Sequence, residues 1–330
     1  MNPSNETLTA ELNKVAAEAH QAFPEKLERL VVIFPPLETP VFVAPAVAAH
    51  LAENVAAVKK AVREWADCMR KRYCAGVASR NYPLAGIRVD MIAQAGDCIG
   101  DGSVESRLFN FHHEIGHHIL RNGYPDVVSA QKAECAADAY AMLWHIQRFG
   151  MDTWIVRSRA QFNAALMIFN EDTDHYTVKA LQRAIEVAKE KDLSALSPRE
   201  IAAEAENIAD ACALDEETLG RVCNAFEPAR AHLDKEMGGR QVVMNKLYKS
   251  DKNAIPAFCR VVLDVMCVHA DDADIFEAGK QYLSRPCVAA FMQEQAKTDP
   301  FYKDALAFLD RESAEGRIIH SALYTKKPYF

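Results

Sequence analysis

His113-Glu114-Ile115-Gly116-His117 constrains this chain more than any other stretch. Residues four apart share one face of an α-helix, with Cβ atoms about 5–6 Å apart. The spacing therefore aims two imidazoles at one metal ion, provided the segment is helical. Glu114 sits beside them, within reach of a metal-bound water, where it can act as general base. That combination points to a zinc-dependent hydrolase, a metallopeptidase foremost. The competing reading is a helix that carries two histidines for packing alone.

Local context favours a real helix. Gly100-Asp101-Gly102 is loop chemistry, and Ser103 is a suitable N-cap. Leu108, Ile115 and Ile119 recur at helical spacing. Arg121-Asn122-Gly123-Tyr124-Pro125 reads as a basic last turn, a C′ glycine and a proline stop. The predicted helix covers roughly 103–122. A second helix is expected from about 126–129 to Phe149, carrying Glu134-Cys135-Ala136-Ala137-Asp138.

A catalytic zinc keeps three protein ligands and one open position. In an antiparallel helix hairpin, His117, about one turn before the first helix ends, lies level with Glu134, about one turn into the second. Asp138 lies one turn further on the same face, level with His113. Glu134 is therefore the expected third ligand, and Asp138 the acceptor that orients a ligating imidazole. The reverse assignment, with Asp138 on the metal, stays open, as does an exposed acidic face. Ala133, Ala136, Ala137 and Ala141 are small enough for close approach of the two helices. Cys135 points off the metal-facing side. Manganese, iron or cobalt would suit the same ligand set as Zn2+.

An HExxH helix followed by a helix with ExxAD resembles the gluzincin side of the zincin metallopeptidases. The string His113-Glu114-Ile115-Gly116-His117-His118-Ile119-Leu120, followed by Ala137-Asp138-Ala139-Tyr140-Ala141, is most similar to the regulatory peptidases of the ImmA/IrrE type. The resemblance covers roughly residues 85–150. It implies zinc on His113, His117 and Glu134, with Glu114 as base. Two features depart from it. The second helix runs on through Leu143-Trp144-His145 without the proline that often ends it in that type, and the carboxy-terminal half has no counterpart there.

Elsewhere, pattern predicts helices at 6–22, 45–73, 153–168 and 176–191, and strands at Leu30–Phe34 and Gly86–Ala93. In zincins a strand ahead of the motif helix lines the cleft, and an exposed edge there pairs with an extended peptide. Ser197-Pro198-Arg199-Glu200 is a capping-box helix start. Further helices are expected near 253–268, 272–284 and 298–315, with a break at Met237-Gly238-Gly239-Arg240. Asp271-Asp272-Ala273-Asp274 lacks the glycine and terminal glutamate of a calcium loop and reads as a helix start. The expected class is α+β, predominantly α: a zincin-like catalytic domain at 1–192 and an all-helical region at 193–330.

The oxyanion formed at zinc needs a hydrogen-bond donor. His175 and Tyr176, from the loop after 170, and Tyr140 are the candidates; each also suits a structural role. His112 and His118 point to other helix faces, and His145 is assigned no role. The net charge of −8 argues against a nucleic-acid-binding surface. No run of 18 apolar residues indicates a membrane span, and the amino terminus has no signal-peptide pattern. Nine scattered cysteines without a CxxC pair suit free thiols in a cytoplasmic protein. A Cys98 thiolate, in the loop before the motif helix, could reach the open metal position and hold the enzyme latent or close the site; the competing and plainer reading is an inert loop thiol. The expected partner is a peptide or protein substrate, with the helical carboxy-terminal region available to dock a protein. The rival reading is an inactive zinc-binding regulator or scaffold. Glu114 argues against it, because a purely structural zinc needs no base and is usually closed by a fourth ligand.

Overall fold

The computed structural model describes residues 5–72, 76–94, 103–237 and 255–310. The fold is mixed α+β and predominantly helical, as expected, with one small sheet. The chain divides into two compact units. The first comprises residues 1–157 and 179–213, and the second comprises 158–178 and 214–330. The division expected at 192/193 is thus drawn differently. The helix that starts at Ser197 packs on the metal-motif hairpin in the first unit, while 158–178 belongs to the second. Contact between chain-distant helices sets this, and a capping box carries no information about it.

In the first unit, α1 (Asn5–Ala22) precedes β1 (Leu30–Ile33) and β2 (Phe42–Val43). The expected single helix over 45–73 is two, α2 (Pro45–Glu53) and α3 (Val55–Arg72). Asn54 interrupts it: its side-chain amide donates to the His50 carbonyl at 2.8 Å and its own N–H turns back to Leu51. Then come β3 (Gly76–Leu84), β4 (Ile87–Gln94), α4 (Val104–Ile119), α5 (Ala130–Phe149), the first turn of α6 (Trp154–Asn170), α7 (Val178–Glu190) and α8 (Pro198–Cys212). The α8 capping box forms as read.

The sheet order is β2-β1-β4-β3. β1 runs parallel to β4, with Val31 opposite Met91, and antiparallel to β2; β3 and β4 form an antiparallel hairpin. Its two-residue turn, Ala85-Gly86, has φ of 51° and 86°, the left-handed pair that closes such hairpins. The strand predicted at Gly86–Ala93 is therefore not an edge: β4 is paired on both sides, and β3 is the terminal strand. Pattern misses β3 because Gly76, Asn81 and Pro83 are poor strand residues, tolerated at an edge and at the irregularity between Ser79 and Tyr82.

α4 is buried from Ser106 to Ile119, between α5, α1 and the β3–β4 hairpin. Ser103 caps it as read, accepting from Ser106 N–H at 3.1 Å, and Ser129 caps α5. Gly116 makes the crossing close: a Cβ there would lie 3.0 Å from the Ala137 Cα. The alanines of α5 pack as their size suggests.

The second unit is all-helical among the described residues: the distal part of α6, then α9 (Glu216–Ala225), α10 (Glu227–Met237), α11 (Ile255–Val268), α12 (Ala273–Leu283), α13 (Pro286–Gln295) and α14 (Pro300–Asp310). Phe169, Phe258 and Tyr282 form its aromatic core, with ring centroids 4.9–5.1 Å from Phe169. Asp272 caps α12, so the acidic cluster is a helix start as read. The break expected at Gly238-Gly239, and Cys98, lie outside the described residues. No described helix is long and apolar enough to cross a membrane.

Candidate metal centre

Two helices meet over the motif. α4 supplies His113, Glu114 and His117; α5 supplies Glu134 and Asp138. The Nε2 atoms of His113 and His117 lie 3.1 Å apart. Glu134 turns Oε2 to His113 Nε2 at 3.1 Å and Oε1 to His117 Nε2 at 3.5 Å. A tetrahedral ion with bonds near 2.1 Å spaces its donor atoms by about 3.4 Å. The three side chains therefore fit a metal ion, and they are the group among the described residues whose donor atoms converge this way.

The far side of each ring explains the orientation. His113 Nδ1 donates to Asp138 Oδ1 at 2.9 Å, and Asp138 is completely buried. His117 Nδ1 donates to the Gly123 carbonyl at 2.5 Å. A carbonyl only accepts, so the proton of neutral His117 sits on Nδ1 and its Nε2 lone pair faces the cluster. The Asp138 carboxylate imposes the same tautomer on His113. Two facing lone pairs 3.1 Å apart repel unless a cation lies between them. Asp138 thus occupies the orienting position expected of it and Glu134 the metal-facing one. Neither belongs to an exposed acidic face.

A proton is the cation available without metal. Burial opposes a charged His113, but the Asp138 and Glu134 carboxylates and their hydrogen bonds outweigh it and push the pKa well above 6.5. A histidine raised on folding stabilises the folded chain fully below its unfolded pKa, and that contribution is lost as pH rises through the folded value. Metal must displace this proton. The melting temperature of metal-free protein should therefore fall, relative to the zinc-loaded form, as pH rises from about 6.5. Parallel melting curves of the two forms against pH would contradict this coupling.

The sequence pattern makes Gly123 the C′ glycine of the motif helix. The helix instead ends at Ile119 with Leu120 extended, and Gly123 is needed for close approach. A Cβ on it would lie 2.8 Å from the carbonyl oxygens of both Gly116 and His117. Gly123→Ala is expected to cost about 1–3 kcal/mol by overpacking and to weaken zinc binding by moving the His117 acceptor. Urea denaturation and a chelator competition would read the two effects. The loop is held from α8: Glu206 accepts from Asn122 N–H at 3.1 Å, and Asp210 from the Asn122 amide at 3.0 Å. Arg121 and Lys132 also converge on Asp210, each at 2.6 Å. The Lys132 hydrogen bond lowers the Asp210 pKa despite some desolvation.

Glu114 is 8% exposed and lies under the first residue of β3; a Cβ on Gly76 would fall 2.7 Å from its Oε1. β3 also brings the Arg80 guanidinium over the Tyr124 ring, 3.5 Å from its centroid. The Tyr124 hydroxyl donates to His118 Nδ1 at 2.5 Å, and His118 Nε2 reaches the Met91 carbonyl at 3.4 Å. Burial, opposed by the Met91 hydrogen bond and reinforced by the Arg80 charge, pushes the His118 pKa down to about 3, so it is a neutral linker between α4 and β4. Gly76, Arg80, Gly123, Tyr124, Glu206 and Asp210 were not singled out for this site from sequence. The only local signal is the glycine–tyrosine pair just after the motif helix.

The remaining candidates have partners of their own. His175 pairs with Asp172 at 2.8 Å, and Tyr176 donates to the Asp274 carbonyl at 3.4 Å, both in the second unit. Tyr140 is buried with its ring 6.0 Å from His112, on the side of α5 away from Glu134. Cys135 is buried and accepts from the Gln131 amide at 3.2 Å; burial, then the Asp138 charge, pushes its thiol well up, so it stays protonated. His145 bonds Thr153 at 2.8 Å. The seven cysteines among the described residues are all free. No family model matches the chain, and neither curated proteins nor solved structures provide a match.

Proposed function

We propose that this chain is a zinc-dependent metallopeptidase of the zincin type, cutting peptide bonds with Glu114 as general base. The observation that carries the reading is the convergence of His113 Nε2, His117 Nε2 and Glu134 with Glu114 buried beside them. A three-membered ligand set suits a catalytic zinc, which leaves a position for water or substrate; structural sites use four. Bound zinc would supply Lewis acidity, acidifying water and polarising the scissile carbonyl. The chain's own residues do the rest. His113 and His117 are held in the metal-facing tautomer by Asp138 and the Gly123 carbonyl. Glu114 takes a proton from the attacking water and delivers it to the leaving amine. The outer edge of β3, which begins beside Glu114, offers backbone donors and acceptors to an extended peptide.

The experiment is a mass-spectrometric screen of the zinc-loaded full chain against a denatured-proteome peptide library, with a chelated and zinc-restored sample alongside. Cleavages that vanish on chelation and return with zinc are the expected result. A loaded chain that cuts nothing in the library would sink the peptidase reading while leaving the metal site standing.

A further inference from the structure

On a face of α4 different from that of His113 and His117, the first unit holds a cavity of about 620 Å3. Its walls come from the end of α1, from His112 on α4, from Tyr140, Trp144, Gln147 and Arg148 on α5, and from Pro198. The volume is that of an ordinary small-molecule site. Nothing in the proposed peptidase chemistry uses it.

His112 is the anomaly. It is 2% exposed, and neither ring nitrogen has a hydrogen-bond partner. Native folds rarely leave a buried polar group in that state. The ring cannot easily turn away, because it stacks on Trp144 with centroids 3.2 Å apart and planes 33° apart. A neutral imidazole offers an N–H to an acceptor on one side and a lone pair to a donor on the other, so a hydroxyl suits either nitrogen and a ring N–H suits the lone pair. Gln147 spends its amide nitrogen on the carbonyls of Leu193 and Leu196, at 2.7 and 3.1 Å, so only its carbonyl oxygen remains to receive a donor. The charged groups of the wall answer each other: Arg148 lies 3.7 Å from Glu18 and 2.7 Å from Glu11 outside the lining. No charge is left for a charged ligand. Trp144, Tyr140 and Phe23 give the walls their aromatic character.

We propose that this cavity is a binding site for an uncharged aromatic small molecule carrying a hydroxyl or ring N–H that bonds one ring nitrogen of His112, with its ring against the Trp144 wall. The site is independent of the peptidase reading.

The test is calorimetric titration of the full chain with phenol and indole, with benzoate as the charged comparison. Phenol or indole should bind saturably at one site per chain, and benzoate at least about tenfold more weakly. His112→Phe should weaken the neutral probe by about tenfold, the loss expected for an unmade buried hydrogen bond. Because His112 adjoins His113 in sequence, Ala22→Phe is the second variant. It narrows the cavity from α1, and should reduce probe binding by a similar factor while metal content stays unchanged. Absence of saturable binding by both neutral probes would overturn the proposal. So would binding that Ala22→Phe leaves unaltered, or benzoate binding as tight as that of phenol; the cavity would then be a place where water satisfies His112.

Discussion

Glu114→Gln is expected to leave about one zinc per chain in place and to lower peptide hydrolysis by about 10²–10⁴-fold, the usual contribution of a general base. The amide has almost the size and shape of the carboxylate, so the contact beneath Gly76 survives. What disappears is basicity. Glu114 is outside the group of converging donors, so metal content should not move. Elemental analysis and a steady-state assay on the same preparation separate the two quantities. A variant that hydrolyses peptides as fast as wild type would place the base elsewhere. A variant that loses its metal would show Glu114 to be part of the ligand set.

The second large effect divides Glu134 from Asp138. Glu134→Ala removes a donor that faces both Nε2 atoms, at 3.1 and 3.5 Å, and should leave the purified chain without stoichiometric zinc. Asp138→Asn keeps an acceptor oxygen for His113 Nδ1 but loses the charge behind it. Changes at such supporting partners cost about 10–100-fold in metal affinity, so zinc should still bind, more weakly, in a competition with a chromophoric chelator. The opposite ranking would put Asp138 on the metal. Geometry argues against that exchange: Asp138 contacts the Nδ1 edge of His113, the side turned away from the cluster. Asp138 is also fully buried, so Asp138→Ala would leave a His113 N–H without its acceptor and should destabilise the fold as well.

Much of this site could be read before any coordinates. Helix periodicity is local, so the four-residue spacing places His113 and His117 on one face whatever else the chain does. Counting turns from the two helix ends then brings Glu134 level with His117 once the two helices pack against each other, as α4 and α5 do. Ser103, Ser129 and Ser197 fall where their side-chain chemistry stops a helix from fraying. The misreadings share a different origin. Hydropathy predicts one continuous helix over 45–73 because Asn54 is only mildly unfavourable in a helix, and its hydrogen bond back to His50 leaves no trace in such a pattern. β3 escapes the pattern because an edge strand tolerates the glycine, asparagine and proline that count against a strand.

By itself, the sequence determined most of the helices, the serine N-caps at Ser103 and Ser197, and the identity and spacing of the side chains that converge on the cluster, since these follow from contacts within a few residues of the chain. Tertiary structure alone decided which backbone carbonyl orients His117, which glycine covers Glu114, that α8 grips the loop after the motif, and that residues 158–178 leave the first unit for the second. Those features depend on how closely chain-distant segments approach, and the backbone groups that meet there carry no residue-specific signature.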